Sequence, residues 1–136
     1  SLRRLKIDYV DDYLIHEPLG EIDKDHLNRI KEVSLKLKDE GKIIRFGISG
    51  PYNSFFNIIE NDFIDTIFIP INEIKLLKKN LNKKFIAYNV FSSFKNNDDK
   101  NISFDSYIKS FLDKNISLVL SSKRKSIVKK FGDLKL

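Results

Sequence analysis

The chain has 136 residues, 41% of them hydrophobic and 32% charged, which is enough for one ordinary domain with a core and too apolar for a disordered segment. No apolar run reaches the ~18 residues of a membrane span and no signal-type segment opens the chain, so no membrane partner is expected. The formal charge of +6 raises nucleic acid as a partner, but the lysines fall in scattered pairs (Lys78-Lys79, Lys83-Lys84, Lys129-Lys130) on polar helix sides, which reads as solvated surface.

Taken in chain order, Ser1 to Leu5 reads as the last turn of an amphipathic helix, with Arg3, Arg4 and Lys6 placed at its negative C-terminal end. Ile7 to Ile15 is β-branched and aromatic, bounded by His16-Glu17-Pro18, and reads as a strand. Asp23 then caps a helix in which Leu27, Ile30, Val33 and Leu37 recur at helical spacing until Gly41 stops it. Ile43 to Ile48 is a second strand, closed by Ser49-Gly50-Pro51, and Phe55, Phe56 and Ile59 mark a short helix after it.

Asp65 to Ile69 is a third strand ended by Pro70, with Ile74, Leu77 and Leu81 marking the helix that follows. Phe85 to Tyr88 is a fourth strand. A polar loop, Lys95 to Lys100, leads to a helix capped by Ser103 with Phe104, Tyr107, Ile108, Phe111 and Leu112 on one face. Ile116 to Leu120 is a fifth strand, and Ile127, Val128 and Phe131 mark a last helix ending at Gly132. Five β-α units with nearly continuous apolar strands predict an α/β fold with a parallel sheet covered by helices. The units fit a self-contained doubly wound sheet, or the last five of a (β/α)₈ TIM barrel.

Neither Cys nor Met occurs in the chain. Without Cys there is no disulfide framework, thiolate metal site or thiol nucleophile, which fits a cytoplasmic protein. The missing Met and the helix remnant at the start favour a piece of a longer domain whose N-terminal portion is absent.

In parallel α/β folds ligands meet the C-terminal strand ends. There the sequence places His16-Glu17, Ser49-Gly50, Phe68 with Asn72, Tyr88-Asn89, and Ser121-Ser122-Lys123-Arg124. This set holds one proton handler, His16, and one exposed aromatic, and it contains no metal-ligand set. Two hydroxyls and two cations ahead of a helix suit a phosphate, while a polar loop with incidental charge is the plainer alternative. His16 fits a hydrogen-bonded structural residue as well as a catalytic one, and Tyr88 fits the core as well as a ligand platform.

The stretch Ser1 to His16 (SLRRLKIDYVDDYLIH) resembles the fourth-strand signature of the aldo-keto reductases, S-L-x-R-L followed by D-Y-[VI]-D-x-Y-L-I-H. Four further segments follow in the order of that family. Asp39 to Ile43 with Phe46 to Ser49 resembles E-G-K-I…G-[VI]-S, and Pro70-Ile71-Asn72 resembles P-Y-N. Ile86 to Asn89 resembles I-A-Y-S, and Val119 to Ser122 resembles the start of the strand-eight phosphate loop. The resemblance covers essentially the whole chain and favours the TIM barrel, with only about its last five β-α units present.

The resemblance implies an NAD(P)H-dependent oxidoreductase that reduces an aldehyde or ketone to an alcohol without a metal, its partner a small-molecule carbonyl substrate. Of the family's tetrad of Asp, Tyr, Lys and His, only the His has a counterpart here, His16, so the piece alone is expected to be inactive. Tyr88 matches the residue that stacks on the nicotinamide, and Ser49 one that binds its carboxamide. Asn89, Phe91 and Ser93 match positions at the pyrophosphate. Ser121, Ser122, Lys123 and Arg124 match positions at the adenosine ribose and its 2′-phosphate, where the two cations lean towards NADP(H) over NAD(H). The chain departs from the family pattern at Gly50, where Asn is common, at Phe68, where a carboxamide-binding Gln is common, and at Asn89, which replaces a frequent Ser. Gly50 and Phe68 motivate an alternative, a non-catalytic or redox-sensing nucleotide-binding protein on the same fold.

Overall fold

A computed structural model describes residues 2–18, 22–78, 81–97 and 101–121, together with Val128, Lys129 and Gly132. The first turn of helix, α1 (Leu2–Leu5), leads into strand β1 (Val10–His16). Helix α2 (Lys24–Asp39) and strand β2 (Ile43–Ser49) follow. After a 3₁₀ turn at Tyr52–Ser54 come β3 (Thr66–Pro70), a second 3₁₀ segment (Ile71–Leu76) and β4 (Lys84–Tyr88). Helices α3 (Val90–Lys95) and α4 (Phe104–Leu112) precede β5 (Ile116–Leu118).

The five strands form one sheet in the order β1-β2-β3-β4-β5, every neighbouring pair parallel. That order decides between the two folds left open by periodicity. A doubly wound sheet reverses direction at a switch point, whereas a barrel adds each strand beside the last. The strictly sequential order is that of a singly wound sheet of the barrel type. Among the described residues no helix is long and apolar enough to cross a membrane.

Helix α2 shows how the local signals work. The Asp23 carboxylate accepts the His26 N–H at 2.8 Å, closing the N-terminus. At the other end Lys42 N–H reaches the Leu37 carbonyl and Gly41 N–H the Lys38 carbonyl, both at 2.9 Å, with Gly41 at φ 65°. This pair of bonds is a Schellman stop, and its left-handed position suits glycine. Leu27, Ile30 and Leu37 pack on the core, but the position between them is taken by Ser34, which is fully buried and donates to the Lys31 carbonyl at 2.7 Å. Val33, expected on this face, is 56% exposed. The stripe runs 27, 30, 34, 37, and a small residue at 34 lets the helix approach the sheet.

Two expected helices are replaced by turns. Residues 55–60 form successive turns rather than a helix, although Phe55, Ile58 and Ile59 are buried. Backbone turn bonds from Ile58 and Ile59 N–H to the Phe55 carbonyl hold the segment, and side chains add to them: Ser54 donates to the Pro51 carbonyl and Asn61 to the Ile58 carbonyl. The segment carrying Ile74 is the 3₁₀ stretch Ile71–Leu76. Conversely, α3 fills a stretch for which no element was expected, between the fourth strand and the polar loop from Lys95. Its Phe94 packs at 5.0 Å from Phe104 and 5.5 Å from Tyr107, so tertiary aromatic contacts hold a six-residue helix that is short for independent stability. Ser103 caps α4 as expected, accepting the Ser106 N–H at 3.1 Å. Of the last expected helix, Val128, Lys129 and Gly132 are helical, while Ile127 and Phe131 lie outside the described residues.

Side chains alternate across a strand. One face of the sheet carries Phe46, Ile48, Ile67, Ile69 and Ala87, all buried beneath the helices and turns. The opposite face carries Asp12, Leu14 and His16 of β1, Arg45, Gly47 and Ser49 of β2, Thr66 and Phe68 of β3, and Lys84, Ile86 and Tyr88 of β4.

Candidate active site

At the C-terminal strand ends the register lines up His16, Ser49 and Phe68 as neighbours on β1, β2 and β3. Tyr88 lies one row further out, opposite Pro70. The sequence resemblance named His16, Ser49 and Tyr88 for separate roles, and the sheet brings them to one edge of one face. The His16 residue is exposed and Ser49 is buried. The ring of Tyr88 packs against Phe68 with centroids 4.9 Å apart and planes tilted by 31°. Burial pushes the Tyr88 hydroxyl above its ordinary pKa, and the charges of Glu73 and Glu17 push the same way.

The backbone around His16 is tightly held. Glu17 adopts a left-handed φ of 39° and its N–H donates to the Ser49 carbonyl at 2.6 Å, tying the end of β1 to the end of β2. Gly50 N–H donates to the Phe68 carbonyl at 3.0 Å, which ties β2 to β3 in turn. Gly50 itself has φ 144°, and a Cβ there would lie 2.8 Å from both Glu17 Cγ and Ser54 Oγ. The φ of 144°, a conformation that side-chain-bearing residues rarely adopt, is what favours glycine at this position.

Beyond Tyr88 the chain turns sharply through Asn89, at φ 61°, into α3. A shallow cavity of about 270 Å³ brings together Asn89, Phe91 and Ser121, with Lys95 on its lining. The Lys95 ammonium stands 4.9 Å above the Phe91 ring, a cation–π arrangement. Ser93 faces elsewhere: its hydroxyl accepts from Tyr107 at 3.0 Å, on the side of α3 towards the 3₁₀ segment. Ser122, Lys123 and Arg124, assigned to the ribose and 2′-phosphate, lie outside the described residues.

The residues that could hold a nicotinamide dinucleotide are the stacked rings of Tyr88 and Phe68, Ser49 in register with Phe68 on the neighbouring strand, and the separate cavity that Asn89 and Ser121 line. Phe68, at the position where the resemblance leads one to expect an amide, offers no side-chain hydrogen bond and packs its ring on Tyr88.

The sequence reading missed a polar cluster at the opposite, N-terminal end of the same face. Asp12 accepts from Arg45 Nε and Nη2, each at 2.8 Å, from the Thr66 hydroxyl at 2.6 Å and from Lys84 Nζ at 2.8 Å. One carboxylate thus links all of β1 to β4. The Arg45 guanidinium holds the Asp12 carboxyl well below the usual carboxylate range, assisted by Lys84 and Thr66 and opposed by burial. In barrels this end reads as stability rather than chemistry. The available signal was charged residues within largely apolar strands: Asp12 beside Asp11 in β1, Arg45 in β2 and Lys84 in β4.

No family model and no curated protein matches the chain. Solved structures do match. An aldo-keto reductase from Brucella melitensis superposes with a TM-score of 0.70 at 20% identity, over 98% of this chain and 58% of that one. The apo form of the aldo-keto reductase AKR11C1 from Bacillus halodurans gives 0.72 at 16% identity, over 99% and 59%. An aldo-keto reductase from a Medee basin deep-sea metagenome library gives 0.67 at 20% identity, over 99% and 57%. The chain therefore spans under three-fifths of the length of these solved proteins. In fold, the chain is a partial barrel of the aldo-keto reductase type.

Proposed function

We propose that the chain is the cofactor-binding, C-terminal part of an aldo-keto reductase, an NAD(P)H-dependent oxidoreductase of the cytoplasm that reduces an aldehyde or ketone to an alcohol. The observation that carries this reading is the alignment of His16, Ser49 and Phe68 across three strands with Tyr88 stacked beside them. A reduced nicotinamide bound there would supply the hydride. Tyr88 and Phe68 would hold its ring flat, and Ser49 would fix the carboxamide and so the ring face presented. His16, exposed at the same edge, would donate a hydrogen bond to the substrate carbonyl and stabilise charge developing on its oxygen. Ser121, Ser122, Lys123 and Arg124 would hold the ribose and 2′-phosphate.

The tetrad's Asp, Tyr and Lys have no counterpart in this chain, so the chain by itself binds the cofactor without turnover. The second reading, a nucleotide-binding protein without catalysis, draws on Phe68, which removes an amide partner worth about 1 kcal/mol. The experiment is a titration of the chain with NADPH followed by nicotinamide fluorescence, together with an aldehyde-dependent oxidation assay. Saturable binding that Tyr88→Ala weakens by roughly tenfold, a stacking loss of about 1–2 kcal/mol, supports the proposal. Binding unaffected by Tyr88→Ala, or none at all, defeats it.

A further inference from the structure

On the other side of α3 from the Phe91 cavity lies a second, larger concavity of about 580 Å³, set between the 3₁₀ segment Ile71–Leu76 and helices α3 and α4. Its volume is in the range of sites that hold small molecules. Lys75 lines it from the 3₁₀ segment and Lys114 from just beyond α4, where the Lys114 ammonium stands 5.9 Å from the centroid of the Phe111 ring that also lines the groove. No Asp or Glu lines it among the described residues. Glu73, the acid of the same 3₁₀ segment, is committed elsewhere, accepting the Tyr52 N–H at 2.6 Å. The walls add the amides of Asn72, Asn89 and Asn96, and Tyr107 forms part of the apolar floor.

Two lysines with no carboxylate among the described lining residues suit an anion, and amides beside them suit hydroxyl groups. We infer that this groove is a binding site for a small hydroxylated monophosphate of the sugar-phosphate class, and that it regulates the neighbouring dinucleotide site through Asn89. Asn89 lines both cavities and sits in a left-handed backbone conformation at the end of β4. An occupant that draws the Asn89 amide towards Lys75 changes what remains to line the Phe91 cavity. The regulatory half of the inference rests on the dinucleotide reading; the binding half does not.

The test uses glucose 6-phosphate as probe, with glucose and inorganic phosphate as controls, followed by calorimetry on the full chain. Glucose 6-phosphate is expected to bind saturably, and each control at least about tenfold more weakly, since each lacks one half of the recognised chemistry. Lys75→Gln/Lys114→Gln, both exposed positions, is expected to weaken binding by at least about tenfold with an unchanged thermal midpoint. No saturable binding up to millimolar probe, or equal binding by the double variant, overturns the site. NADPH titrations with and without saturating glucose 6-phosphate read the coupling, expected as a change in affinity of at least about fivefold. An unchanged NADPH affinity overturns the regulatory half. A chain that binds glucose 6-phosphate but no NADPH leaves the groove standing and refutes the dinucleotide reading instead.

Discussion

Replacing Asp12 with Asn removes the charge that holds four strands together while keeping the shape of the side chain. Asp12 is 17% exposed, whereas its partners Arg45 and Lys84 are exposed by 32% and 36%, so the cluster lies between a surface pair and a buried one. Breaking a fully buried pair costs about 3–5 kcal/mol and losing an exposed one about 0–1 kcal/mol. The Asn oxygen still accepts from Thr66 and one Arg45 N–H, but Lys84 loses its partner. A loss of about 2 kcal/mol follows for the Asp12→Asn chain, equivalent to a fall of roughly 6–8 °C in Tm for a domain of this size. Urea unfolding followed by far-UV circular dichroism at pH 7 reads it directly.

The pH dependence has a defined sign. The folded pKa of Asp12 is depressed, so its contribution is fully present above the unfolded carboxylate value of about 3.9 and is lost as pH falls towards the folded value. The gap between wild type and Asp12→Asn should be constant from about pH 5 upwards and narrow below about pH 4. A difference below about 0.5 kcal/mol at pH 7, or a gap that widens in acid, would show that the cluster is a solvated surface feature and refute the reasoning.

Three other substitutions probe particular contacts. Gly47→Ala would place a Cβ 2.2 Å from the Thr66 carbonyl oxygen and 2.6 Å from Leu14 Cδ2, so β2 and β3 must part. A loss of at least about 3 kcal/mol is expected in chemical denaturation, and a neutral result would mean the inter-strand distance is looser than described. Gly50→Asn, which restores the residue common in the family, should destabilise the chain by more than about 2 kcal/mol because of its φ of 144° and the crowding by Glu17 and Ser54. If it instead leaves Tm unchanged, the packing argument for Gly50 is wrong. Ser103→Ala removes the cap of α4 and should cost about 1 kcal/mol in the same assay, with no change in NADPH affinity.

The strands and the ends of α2 were legible because their signals are local: β-branched runs, an Asp cap and a glycine stop. Ser34 was not, because a small polar residue facing a sheet leaves no mark in a hydrophobic pattern. Helix α3 owes its existence to contacts between Phe94, Phe104 and Tyr107, which sequence spacing within 90–95 does not reveal. Likewise the strand order, and with it the choice of a singly wound sheet, is a property of pairing between strands rather than of any one segment. The site residues were named from a motif resemblance; without it, a structural reading was favoured for both His16 and Tyr88. What only coordinates supply is the Phe68–Tyr88 platform, the reason for Gly50, and the division of α3 into two sides, with Phe91 on one and Ser93 on the other.

The most direct test of the account is an amide NMR titration of the isotopically labelled chain with NADP⁺. The account predicts saturable shifts at Ser49, Phe68, Tyr88, Asn89, Phe91 and Ser121, with little change at Arg45 and Lys84 at the opposite strand ends. Shifts confined to other surfaces, or spectra unchanged at saturating NADP⁺, would contradict the assignment of this face to a nicotinamide dinucleotide.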